Sequence, residues 1–295
     1  MVRPVNCLMM GFAVLVGETI TLEGNLLPIP SLLGFITAFT LTGSSMIIND
    51  YFDRFVDKVN EPSRAIPSGI VNPKEALIFA AIVGFVGMAS ALVGSILVLS
   101  YYILLVAGLS YILSGYYNAV GKKYGFLGNL MVSGCVAVPF IYGAFITGSF
   151  PGFLLLLFAF IAFLANTGRE IIKGIADIEG DKLREIKTLA LKLNPSRAAY
   201  VAASFYGLAV VLSILPPLLP NPEITQQGTL HLFPMYGLVS IWYLPFVATS
   251  CMGFTVTAIL TIRNPSAENA KKMKKASLLW MAFGLLAFLF GTTLT

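Results

Sequence analysis

The sequence predicts an all-α integral membrane protein, a bundle of about nine transmembrane helices with its working residues at the cytoplasmic ends. Hydrophobic residues make up 57% of the 295-residue chain, and the mean hydropathy is +0.84, far from the balance of a globular protein. Nine apolar stretches approach the ~20 residues that a helix needs to cross hydrocarbon, at roughly 5–22, 29–48, 75–95, 97–117, 127–147, 152–175, 196–218, 234–261 and 273–293. Each is apolar throughout its middle, whereas a barrel strand would alternate every second residue, so helices are favoured.

Taken in order, the first stretch follows Arg3 and imitates a signal peptide. It has no small-residue cleavage site and runs on to Glu18 and Glu23, so it reads as the first helix. Polar Asn6 within it should face the bundle interior. The second stretch leads into a long polar connection, 49–74, and the sixth into another, 176–195; the remaining connections are mostly short. Cys7, Cys135 and Cys251 each lie inside an apolar stretch, and their odd number argues for packing rather than a disulfide framework.

Basic residues set the orientation, because cytoplasmic loops retain Lys and Arg. All 19 lie before the first stretch, at the end of the sixth, in the loops after the second, fourth, sixth and eighth, or within the first residues of the seventh and ninth stretches that follow those loops. The N-terminus is therefore expected in the cytoplasm and the C-terminus outside, in a multi-pass protein of the cell membrane. A net charge of +5 follows from this rule, with attraction for anionic membrane lipids as a corollary. It implies neither nucleic-acid binding nor a protein partner. Lys271, Lys272, Lys274 and Lys275 read as headgroup contacts or topology determinants.

Only 11% of residues are charged, which makes two acidic clusters conspicuous. The first is Asn49-Asp50-Tyr51-Phe52-Asp53-Arg54-Phe55-Val56-Asp57, whose spacings put all three aspartates on one face if the helix continues. The second is Asp177, Glu179 and Asp181, with Asp177 and Asp181 four apart. Carboxylates so crowded repel unless cations lie between them, and a hard divalent metal carrying phosphate oxygens is the natural partner. Asn60-Glu61-Pro62-Ser63-Arg64 after the first and Asn194-Pro195-Ser196-Arg197 after the second are alike, which leaves an internal duplication open.

The first cluster resembles the Asn-Asp-x-x-Asp-x-x-x-Asp signature of the UbiA-type intramembrane prenyltransferases, and Asn60, Pro62, Arg64, Pro67, Ser68 and Gly69 continue it. Arg169-Glu170-Ile171-Ile172-Lys173, Asp177 to Lys182 and Lys187-Thr188-Leu189 resemble the family's second motif, and Gly128-Asn129 a weaker third. Arg3-Pro4-x-Asn6 and the Arg-Glu-Ile-Ile-Lys lead-in are most similar to the archaeal members that add a second isoprenoid chain to a lipid precursor. Relatives often carry acids where this chain has Gly174 and Ala176.

The resemblance implies a single membrane-embedded domain, 1–295. Its reaction would be Mg2+-dependent transfer of a geranylgeranyl group from geranylgeranyl diphosphate to the hydroxyl of geranylgeranylglyceryl phosphate, making an ether lipid and releasing diphosphate. Negative charge on the departing diphosphate has to be stabilised, which is electrostatic work for Mg2+. Asp50, Asp53 and Asp57 on one side and Asp177 and Asp181 on the other are the expected metal ligands and catalytic residues, with Asn49 as a neutral oxygen ligand that also meets substrate. Arg64, Lys122, Lys123 and Lys182 are expected on phosphate oxygens. Asn6 is a candidate for the acceptor. Tyr51, Phe52, Tyr116 or Tyr117 could stabilise an allylic cation through a ring face, and Tyr117 is carried forward as a substrate-binding residue. No Ser-His or Cys-His pair is evident, and the one histidine, His231, falls on the expected outer face, so covalent catalysis is disfavoured. Competing readings are a prenyltransferase for an aromatic acceptor and a cation-coupled transporter, whose ionisable groups would lie near mid-membrane. A CDP-alcohol phosphotransferase is weakest, since its Asp-Gly-x-x-Ala-Arg motif is missing.

Overall fold

A computed structural model describes residues 1–183, 188–219 and 238–293. Its long helices are α1 (Pro4–Thr21), α2 (Pro28–Asp53), α4 (Pro73–Val98), α5 (Tyr101–Ala119), α6 (Phe126–Phe145), α7 (Phe153–Ala176), α10 (Pro195–Ser213), α12 (Tyr243–Arg263) and α13 (Ala267–Thr293). Short helices α3 (Asp57–Asn60), α8 (Ile178–Leu183), α9 (Leu189–Leu193) and α11 (Leu215–Leu218), with a 3-10 turn at Gly121–Tyr124, fill the connections. The nine expected stretches thus correspond to nine long helices among the described residues. Eight segments meet both the length and the hydropathy required to cross a membrane; the tyrosine-rich α5 is the one that does not.

Starts and stops follow local chemistry. Proline occupies the first turn of α1, α2, α4 and α10, where its missing N–H is no loss. Asn72 and Glu75 form a reciprocal capping box on α4. The start of α2 has no side-chain cap of its own. Instead the buried Glu18 of α1 accepts from the Leu27 N–H at 2.7 Å and the Ser31 hydroxyl at 2.8 Å. The eighth stretch becomes helical only at Tyr243, because the backbone before it is spent on tertiary bonds: Leu238 N–H to the Pro216 carbonyl and Ser240 N–H to the Gly291 carbonyl. Residues 234–237 of that stretch lie outside the described residues.

The helices close a ring in which neighbours pack in the order α2, α4, α5, α6, α7, α10, α12, α13, α1 and back to α2. Helix α1 also crosses α6 at backbone contact: a Cβ on Gly17 would collide with the Phe140 carbonyl, and one on Gly143 with that of Val14. The main core lies among α6, α7, α10, α12 and α13, with Phe158 stacked on Phe288 and Tyr243. α3 and α8 touch, which brings the two acidic clusters to the same end of the ring.

Candidate active site

Two adjoining cavities that share lining residues define the site. One, of about 100 Å3, is lined by Asn49, Asp53, Asp57, Arg64, Lys122, Asp177 and Asp181 among others. The second, of about 360 Å3, runs into the bundle along Met9, Met10, Leu41, Met46, Cys135, Val136 and Met281. Arg3, Asn49, Glu61, Arg64, Tyr117, Glu170 and Lys173 line both and form the junction. A charged mouth over a greasy interior suits a molecule with a polar head and a long hydrocarbon tail.

The first cluster departs from a single helical face. α2 ends at Asp53, where Arg54 donates to the Tyr51 carbonyl at 2.7 Å and lies over the Tyr51 ring, satisfying a carbonyl that continued helix would have bonded. Asp57 opens α3 instead, and it returns to the cluster because Arg64 bridges it at 2.5 Å and Asp50 at 3.5 Å. Asp53 pairs with Lys122 at 2.5 Å and accepts from the Asn49 amide at 2.8 Å, while Lys122 also donates to Asn49 at 2.6 Å. The Lys122 turn is seated by Gly125, whose φ of 59° favours glycine, and by Gly128, where a Cβ would lie 2.7 Å from the Gly121 carbonyl. That gives the Gly128-Asn129 motif its place on the cavity wall.

Asp50 does not reach the cavity. It is 2% exposed, held by Arg3 at 3.0 Å, by Arg64 and by the N-terminal amine at 3.7 Å. Its position fits anchoring those cations rather than ligating a metal. The structure also leaves Lys123 and Lys182 outside: Lys123 is exposed, and Lys182 pairs with exposed Glu179 at 2.9 Å. Of the four aromatic candidates only Tyr117 lines the cavities, with the Lys122 ammonium 5.7 Å from its ring centre. Tyr51 and Phe52 face each other beside Arg54, and Tyr116 bonds Tyr124 at the surface. Asn6 does line the larger cavity. Arg197 is exposed away from the site, and its Asn-Pro-Ser-Arg segment is the N-cap of α10. The likeness to the segment before Arg64 is therefore helix-start chemistry on that side. His231 and Lys187 lie outside the described residues.

The second cluster stands where α7 gives way to α8, the Asp181 N–H bonding the Asp177 carbonyl at 3.0 Å. Lys274 of α13, assigned to headgroups from the sequence, comes to Asp177 at 3.3 Å and to Glu61 at 3.8 Å. Sequence distance concealed it, since only ring closure puts α13 beside α7. The lead-in to this motif supplies more: Glu170, buried, bridges Arg169 at 3.0 Å and Lys173 at 3.1 Å. Asn166, one turn earlier, donates to Ser133 at 3.1 Å. Spacings of three and four put these residues on the cavity face of α7.

Burial, with Asp177 as a second cause, pushes the Asp181 carboxyl up to about 6. Burial also raises Asp57, which Arg64 opposes and Asp53 and Asp50 reinforce. A cation between the clusters would relieve this crowding. The donors facing the smaller cavity are hard oxygens, as Mg2+ prefers. Among the described residues no group of three Asp, Glu, His or Cys side chains is placed to hold a metal ion; Mg2+ commonly takes only a few carboxylates and fills its shell with phosphate oxygens and water.

Fold and site together describe a membrane-embedded helical protein with an acid-lined mouth beside an apolar cavity. The UbiA prenyltransferase family matches residues 10–292, and the chain belongs to that family and is a prenyltransferase. It is 34% identical to the digeranylgeranylglyceryl phosphate synthase of Methanosphaera stadtmanae over 290 residues, covering 98% of this chain and 96% of that one. Its identity to the Methanopyrus kandleri enzyme of the same name is also 34%, covering 97% and 96%. A solved digeranylgeranylglyceryl phosphate synthase structure superposes with a TM-score of 0.70 at 28% identity, covering 99% of this chain and 95% of that one. A UbiA homolog from Archaeoglobus fulgidus, solved with GPP and Mg2+, shares the fold at a TM-score of 0.63 and 18% identity, covering 97% of each chain.

Proposed function

We propose that this protein transfers the geranylgeranyl group of geranylgeranyl diphosphate to the hydroxyl of geranylgeranylglyceryl phosphate, forming the second ether bond of an archaeal phospholipid precursor. The observation that carries the reading is an acid-lined mouth adjoining an apolar cavity in one wall of helices. Near-full-length likeness to enzymes named for this reaction supports it, as does binding of GPP and Mg2+ by a fold relative.

In this reading Asn49, Asp53, Asp57, Asp177 and Asp181 would hold Mg2+ at the mouth, and the bound metal would supply electrostatic stabilisation of negative charge on the departing diphosphate. Lys122 and Arg64 grip diphosphate oxygens, having been kept in place by Asp53 and Asp57. The geranylgeranyl tail lies along Met9, Met10, Met46 and Met281, flexible side chains that adapt to an isoprenoid. The Tyr117 ring, between mouth and tail, faces the allylic carbon as positive charge grows there. Enclosure by apolar walls keeps water from intercepting that carbon before the acceptor hydroxyl attacks. The chain acts as one membrane domain, its N-terminus and site facing the cytoplasm and its C-terminus outside.

The test uses purified protein in lipid, radiolabelled geranylgeranyl diphosphate and Mg2+, with geranylgeranylglyceryl phosphate and hydroxybenzoate or naphthoate offered in parallel. Product only from the glyceryl phosphate, abolished by EDTA, is expected. Product only from an aromatic acceptor would overturn the acceptor and keep the family.

A further inference from the structure

The charges around the two cavities are segregated. Those lining only the smaller cavity are Asp53, Asp57, Asp177, Asp181 and Lys122, an acid-rich set. Those lining only the larger are Arg169 and Lys274, both basic. These two come from α7 and α13, which pack together and against α1; Lys274 is also held by Asp177 at 3.3 Å and Glu61 at 3.8 Å, which puts it at the border with the smaller cavity. The Arg169 guanidinium is unsaturated: one terminal nitrogen meets Glu170 at 3.0 Å, while its buried Nε has no hydrogen-bond partner. A buried donor without an acceptor is costly, and a fork of this shape matches a tetrahedral oxyanion.

We propose that Arg169 is the centre of a direct anion subsite for the phosphate head of the acceptor lipid, in the larger cavity and next to the acid-lined subsite that takes the donor diphosphate through metal, with Lys274 at the border between the two. This rests on the function proposed above and deepens it. The acceptor phosphate is a spectator in ether formation, so it needs positional charge rather than an ion that assists a leaving group. Seating it on cations leaves the acidic subsite to the donor, and like charges on the two substrates are kept apart. An acceptor lacking the phosphate leaves these cations unmatched, which gives the site selectivity.

The test compares wild type with Arg169→Gln and Arg169→Lys in lipid nanodiscs. Geranylgeranyl diphosphate is saturating, and the acceptor is either geranylgeranylglyceryl phosphate or its dephosphorylated alcohol. Arg169→Gln should raise the KM for the phosphorylated acceptor about ten-fold or more and lower the preference for phosphate over alcohol by a similar factor. Arg169→Lys should recover part of that preference. The Mg2+-dependent Kd for the donor, measured separately, should change by less than about three-fold in Arg169→Gln. Equal losses with both acceptors, or a loss confined to donor binding, would overturn the subsite while leaving the proposed function standing. Wild-type turnover with an aromatic carboxylate and not with the glyceryl phosphate would overturn both.

Discussion

The two acidic clusters share one cavity but differ in how their charge is met. In the first, Asp50, Asp53 and Asp57 each have a basic partner: Arg3 and Arg64, Lys122, and Arg64. In the second, Asp177 has Lys274, while the Asp181 side chain has no ion pair with a described residue and burial holds its carboxyl near 6. One half of the mouth is preset by protein cations, and in the other burial and Asp177 oppose the charge on Asp181. A metal therefore gains most at Asp181, whereas the first cluster uses its aspartates partly to aim Arg64 and Lys122.

Removing charge should expose that asymmetry, most strongly in turnover. Asp53→Ala and Asp181→Ala should each abolish prenyl transfer, by about a thousand-fold or more, with the helical fold retained in circular dichroism. Full activity in either would remove that residue from the site. Stability should then separate the clusters. Asp50→Asn strips a buried carboxylate from Arg3 and Arg64 and should cost roughly 3 kcal/mol, read as a lowered Tm. Asp181→Asn removes a charge that burial disfavours, so its Tm should stay level or rise; a fall would contradict that reading.

The pH response should be smaller and specific to the second cluster. Asp181 binds its proton more tightly than an ordinary aspartate, so below about pH 6 it becomes neutral and ceases to be a ligand. Apparent Mg2+ affinity should strengthen as pH rises through that point, and the step should vanish in Asp181→Asn. The smallest effect is expected where the structure turns side chains away: Lys123→Met and Lys182→Met should keep transfer within about two-fold of wild type. A ten-fold loss in either would restore it to the phosphate site.

Much of this was legible in the sequence because contrast was high. Nine apolar stretches stand out in any membrane chain, and aspartates at their ends are conspicuous where so little is charged. What escaped depended on tertiary closure. Asp50 matches the motif yet is drawn off the cavity by Arg3, which lies 47 positions earlier. Asp57 rejoins its cluster after a helix break that the spacing of its neighbours conceals. Lys274 lies 97 positions from Asp177, within a basic run whose other members look the same as sequence; the packing of α13 on α7 alone singles it out. Arg169 and Lys173 were visible as motif residues, but their position on the wall of the tail cavity required the α7 face to be seen against α1 and α13.

The central claim is that both clusters serve one diphosphate and its metal. A double-mutant cycle on Mg2+-dependent binding of geranylgeranyl diphosphate, using Asp53→Asn, Asp181→Asn and the pair, tests it most directly. Each single change should weaken binding about a hundred-fold, and the double should be no more than about three-fold worse than the weaker single, since either loss already disables the shared site. Losses that multiply would mean two independent sites and would contradict the account.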